Sequence, residues 1–222
     1  MSNSYIDYKR LILWPAVVTL AVTLVRLAGE LLHGPSWLFN PKAGGGFALV
    51  GIVWLAPIVG IYFARKLAAE GHGPKSKTLA VQTAALGVIL VIVVALGAAR
   101  IPISNPYLQV ALLLWGPVAV AAVGQLLAWP ALARTLFAYA FAARVPVAIL
   151  MFFAMLGDWG THYDAVPENF HEASFGLKYL WLGLLPQLVF WVGFTVLIGA
   201  LFGSAALTLQ KSKPPTTNGW TG

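Results

Sequence analysis

The chain has 222 residues, of which 59% are hydrophobic and only 9% charged, with a formal charge of +7 and no cysteine. Soluble domains carry roughly a quarter of their residues as charges, so an ordinary water-facing surface is excluded; the missing cysteines exclude disulfides, thiol nucleophiles and cysteine metal sites. Apolar runs of span length and a mean hydropathy of +0.81 predict an all-α, polytopic integral membrane protein, without the ~10-residue alternation of a transmembrane barrel.

Six spans are predicted, at 10–32, 47–67, 78–99, 107–128, 130–156 and 177–209, in one transmembrane domain followed by a disordered tail over 210–222. The first run is too long for a signal-peptide core and no small-residue cleavage site follows it, so it is read as a retained helix. The sixth exceeds what a bilayer needs and is expected to tilt or project. Lys9, Arg10, Arg65, Lys66, Lys75, Lys77, Arg134, Lys211 and Lys213 fall at one set of helix ends, and Lys42, Arg100 and Lys178 at the other. Nine against three predicts a cell-membrane protein with both termini cytoplasmic and the 157–176 segment extracytoplasmic. Positive charge spread over helix ends in this way is a topology signal, and no nucleic-acid partner is expected.

Within the first span, Thr19, Thr23, Arg26, Glu30 and His33 fall in an arc of roughly 80° at helical spacing. Arg26 and Glu30 stand four apart and are expected to pair. A charge inside a membrane costs about 2.5–3.5 kcal/mol on insertion scales, so this stripe should face the bundle interior or a wet cavity. Arg144 sits near the middle of the fifth span, two residues before Pro146, whose missing N–H frees the carbonyl of Ala142. Gln187, beside Pro186 in the sixth span, lies at a depth from which it can reach Arg144. Arg26, Glu30, Arg144 and Gln187 are therefore the expected binding residues for a small-molecule or ion ligand. Pro57, Pro117, Pro146 and Pro186 place a proline in each of four spans, the pattern of broken or kinked helices.

The stretch from Gly157 to Gly176, GDWGTHYDAVPENFHEASFG, holds Asp158, Asp164, Glu168 and Glu172, with His162 and His171, and no Lys or Arg. Were it locally helical, Asp158 and His162 would share one face, and Glu168, His171 and Glu172 another after Pro167. One E-x-x-H pair is half of what a carboxylate-bridged dimetal site uses. Asp158, His162, Glu168 and His171 are the expected ligands of a possible divalent transition metal, since mixed imidazole and carboxylate donors suit Zn, Mn or Fe. The plainer alternative is an outer loop that happens to be acidic, and a third is a proton-handling or gating segment, a lid over the cavity.

No reaction motif follows from these residues. The leading expectation is a multi-pass protein that binds or moves a small solute through an outward-facing polar cavity. Two others stand beside it: a metal-dependent hydrolase or transferase using the 157–176 residues, and an accessory subunit with membrane-protein partners. The lipid bilayer is a partner in all three.

Overall fold

The computed structural model describes residues 6–46, 48–98, 100–101, 103–168, 170 and 174–210. Six helices follow in chain order: α1 (Tyr8–Leu31), α2 (Leu55–Ala69), α3 (Lys77–Ala98), α4 (Tyr107–Ala128), α5 (Pro130–Gly157) and α6 (Phe175–Thr208). No strand occurs among the described residues. The helix starts follow local chemistry. Asp7 accepts from the amide of Arg10 at the head of α1, Asn105 from those of Tyr107 and Leu108 at α4, and Ser174 from that of Leu177 at α6. At the other end of α6, Lys77 Nζ donates to the carbonyl of Leu207, placing a cation where helix carbonyls run out of partners.

Five of these helices, all but α2, are long and apolar enough to cross a membrane. Their outward faces suit lipid: Leu86, Ile89, Val93 and Leu96 on α3 and Leu13, Val17 and Leu24 on α1 are exposed. An apolar surface this extended is a liability in water and unremarkable in a bilayer. The expected boundaries of the first, third, fourth, fifth and sixth spans agree with the helices to within two residues.

The second expected span, 47–67, differs. Its helix begins at Leu55 and has 15 residues, about 22 Å of rise. Residues 48–54 are irregular because their polar groups are taken up by the preceding loop. The amides of Leu49 and Val50 donate to the carbonyls of Trp37 and Leu38, and Trp54 Nε1 donates to the carbonyl of Leu49. Hydropathy alone cannot separate such a loop-bound apolar segment from a helix. Residues 47, 99 and 211–222, the last comprising nearly all of the expected tail, lie outside the described residues.

α2 packs most closely against the C-terminal half of α6, and the contact is backbone to backbone. A Cβ on Gly60 would strike the backbone of Gly199, and one on Gly203 would lie 2.6 Å from the carbonyl oxygen of Gly60. Gly199 and Gly203 are four apart on α6, and Ala56, Gly60 and Ala64 repeat the spacing on α2, so both helices present a small-residue face. Around this seam lies the larger apolar core, with Phe63, Leu67, Leu132, Leu136, Tyr139 and Val196. A smaller cluster of Val147, Met151, Ala154, Met155 and Tyr163 fills the end where α1 and α5 finish.

Because the Gly60 seam leaves no room for a methyl group, Gly60→Ala is expected to destabilise the fold by about 1–3 kcal/mol. Gly97→Ala, on α3 with nothing within 4 Å of its Cβ, should be neutral or stabilising by up to about 1 kcal/mol. Thermal unfolding of the two variants in one detergent compares them directly.

Candidate functional site

The first-span stripe faces inward. Thr19 is buried, its hydroxyl donating to the carbonyl of Pro15 and sharing a 2.7 Å hydrogen bond with the hydroxyl of Tyr139 on α5. Thr23 is buried one turn later, its hydroxyl bonded to the carbonyl of Thr19. His33 departs from the stripe. It lies past the helix end, exposed, with a left-handed φ of 53°.

Glu30 is the centre of the next layer. Its side chain is fully buried, and Oε1 accepts from Arg26 Nε at 2.9 Å. Oε2 accepts from the backbone amide of His162 at 2.8 Å and lies 2.7 Å from the ring Nδ1. A carboxylate only accepts, so Nδ1 carries the proton in this contact. Burial holds the His162 imidazole below its usual range; the Glu30 carboxylate opposes that shift and the Arg26 guanidinium reinforces it. His162 is thus neutral around pH 7, and the Arg26–Glu30–His162 group has no net charge. Arg26 Nη2 donates to the carbonyls of Asn40, at 3.3 Å, and Gly45, at 3.0 Å. Gly45 is required there: its φ is +77°, and a Cβ would come within 2.6 Å of Arg26 Nη2. One helical ion pair therefore fastens two loops to α1.

The acidic stretch is a folded turn. α5 stops at Asp158, which takes a left-handed φ of 52° and is exposed. Asp164 closes the turn on itself, accepting from the amides of Gly160 and Thr161 and from the Thr161 hydroxyl at 2.6–2.8 Å. The Tyr163 ring lies tilted against that of His162 at a centroid distance of 3.8 Å, and its hydroxyl donates to the carbonyl of Thr23. Burial pushes the Tyr163 phenol well above its usual value, so it stays a donor.

This geometry bears on the expected metal ligands. The helix that would put Asp158 and His162 on one face is absent from the turn, and Glu168 is exposed in irregular chain. Among the described residues no three His, Asp or Glu side chains are placed to hold a metal ion. His171 and Glu172 lie outside the described residues.

Arg144 stands 14 residues from one end of α5 and 13 from the other, and is 4% exposed. Its Nη1 lies 3.4 Å from Gln187 Oε1, a long hydrogen bond, and its guanidinium carbon sits 4.9 Å above the Trp191 ring. Among the described residues it has no carboxylate partner. Gln187 gives its amide N–H to the thioether of Met151 at 3.4 Å, a weak acceptor.

Arg26, Arg144 and Gln187 line one cavity of about 230 Å³, shared with His162, Tyr163 and Trp191. Glu30 does not line it and stands behind Arg26 and His162. The cavity runs from the loops at the end of α1 to the middle of α5. On the α6 side its wall is irregular: Leu180–Leu184 and Pro186–Trp191 are wound as π-helix, flanking a proline that has no N–H to give. Leu182, Pro186, Gln187 and Trp191 all line the cavity from this stretch.

Tyr163, Trp191, Met151 and the 43–53 loop were not singled out by sequence reasoning as cavity residues. Trp191 carried a signal, standing one helical turn from Gln187. For Tyr163 there was none, because its place depends on how the turn folds back. Comparisons with protein-family models, curated proteins and solved structures find no match, so the geometry alone carries the functional reading.

Two outcomes follow for the Glu30 group. Glu30→Ala leaves the half-buried Arg26 without its carboxylate and strips the 158–164 turn of its anchor, and is expected to cost about 3 kcal/mol, measured by thermal unfolding, with faster proteolysis in 158–168. Because His162 binds its proton less readily when folded, its contribution is complete above about pH 6.5 and is lost as pH falls from there toward the lowered folded value. The unfolding temperature should therefore drop as pH falls below about 6.5, with a flatter profile in His162→Asn.

Proposed function

We propose that this chain is a multi-pass membrane protein that takes a small anionic solute into the cavity between α1, α5 and α6. The observation that carries the reading is Arg144: a permanently charged group, 4% exposed, at the wall of a cavity and without an acidic partner among the described residues. A buried cation is costly unless something compensates it, and here an occupant of the cavity is the available counter-charge. Trp191 and Gln187 flank the guanidinium, whose planar fork suits a ligand with two acceptor oxygens.

The same reading orients the protein. Nine Lys and Arg at one set of ends against three at the other support cytoplasmic termini, with the 157–176 segment outside and the cavity mouth beneath it. α2, prolonged by the loop-bound residues 48–54, would be a sixth, shorter crossing. The π-wound part of α6 would be the element that adjusts when the solute enters or leaves, since π turns interrupt the regular hydrogen-bond ladder beside the site.

The test is ligand-dependent stabilisation of the intact, purified protein by a panel of sodium salts at constant ionic strength. At a hundredfold excess over its Kd, a true ligand adds about 2.7 kcal/mol, several degrees in unfolding temperature. At least one anion is expected to do so, and Arg144→Gln to remove the effect. A panel in which every anion shifts wild type and Arg144→Gln equally would show that Arg144 is not the binding group.

A further inference from the structure

Resting on that anion-site reading, we infer that the occupant is a small amphipathic monocarboxylate, its carboxylate on Arg144 and Gln187 and its apolar body against Val147, Met151 and Leu182. Counting charge sets the valence. Two arginines line the cavity, but Arg26 is already neutralised by Glu30 at 2.9 Å, and its Nη2 is committed to the carbonyls of Asn40 and Gly45. His162 gives its Nδ1 proton to the same carboxylate. One uncompensated positive charge remains, on Arg144. A dianion such as phosphate or sulfate would bring a second negative charge into a buried site with no cation left to meet it.

The donors set the head group. Arg144 offers a planar fork beside the Trp191 face, and the Gln187 amide holds an N–H on a sulfur atom, a partner readily exchanged for a carboxylate oxygen. The walls set the rest. The other polar side chains of the lining, Thr23, Arg26, His162 and Tyr163, already hold protein partners, and Val22, Ile52, Val147, Met151 and Leu182 supply apolar wall, so a halide finds little hydration and a sugar few free hydrogen-bonding groups. A volume of 230 Å³ equals that of about eight waters, enough for a short fatty or aromatic acid and below the usual pocket for a drug-sized ligand.

The experiment measures unfolding temperature for the intact protein in detergent or nanodiscs against acetate, hexanoate, benzoate, succinate, sulfate, phosphate and the uncharged hexanamide. Hexanoate and benzoate are expected to act at concentrations at least tenfold lower than succinate, sulfate and phosphate, with no shift from hexanamide. Arg144→Lys should weaken hexanoate at least tenfold and Arg144→Gln abolish its effect. Met151→Phe, which keeps the charge and fills the apolar compartment, should weaken hexanoate at least tenfold more than it weakens acetate. It reads the inference even if Arg144→Gln does not fold. If succinate, sulfate or phosphate matches hexanoate in an Arg144-dependent way, the monocarboxylate assignment is overturned and the anion site stands. Equal action of hexanamide, or hexanoate binding untouched by Met151→Phe, also overturns the assignment. If no anion gives an Arg144-dependent shift, the anion site and the assignment fall together.

Discussion

The Glu30 carboxylate, buried and accepting from Arg26, from the His162 amide and from the His162 ring, is the contact on which the cavity depends. It joins a helix to a turn 132 residues away, and through Arg26 it also reaches the carbonyls of the 40–45 loop. Three chain segments are thus held together by charge-assisted hydrogen bonds, which are strong where water is scarce. The walls contributed by Ala43, Gly44, His162 and Tyr163 stand where they do because of it.

The electrostatic effect of this contact matters as much as the mechanical one. An arginine in a membrane span is normally explained by its partner, and Arg26 has one. By satisfying Arg26 locally, Glu30 leaves Arg144 as the single charge at the cavity wall without an acidic neighbour among the described residues. Two arginines that look equivalent in a list of intramembrane charges therefore differ in kind: one is paired with a carboxylate, the other has none among the described residues. The aromatic face of Trp191 stabilises a guanidinium without neutralising it, so it orients Arg144 while leaving the need for a negative charge unmet.

Helix positions were legible because bilayer crossing imposes length and hydropathy that local sequence records directly. α2 was legible only in part, since the identity of residues 48–54 as loop depends on the amides of Leu49 and Val50 finding carbonyls in a distant segment. At the site, the i, i+4 spacing of Arg26 and Glu30 announced their pairing, and the depth of Arg144 and Gln187 announced theirs. The fold of 158–164 was not legible. Asp164 spends its oxygens on Gly160 and Thr161, and His162 spends its ring on Glu30, and neither commitment is visible in a run of acids and histidines. These tertiary hydrogen bonds have no local signature.

The glycine seam between α2 and α6 has a mechanical meaning. Where two backbones touch without intervening side chains, neither helix can slide or roll without collision, so α2 and the C-terminal half of α6 behave as one stiff plank. The N-terminal half of α6 is not so gripped, and the chain between the two halves is wound with π turns around Pro186. Any bending of the long helix is thereby concentrated at one joint, and that joint carries Gln187 and Trp191. Stiffness in one half of the bundle thus decides which side chains travel when the other half yields.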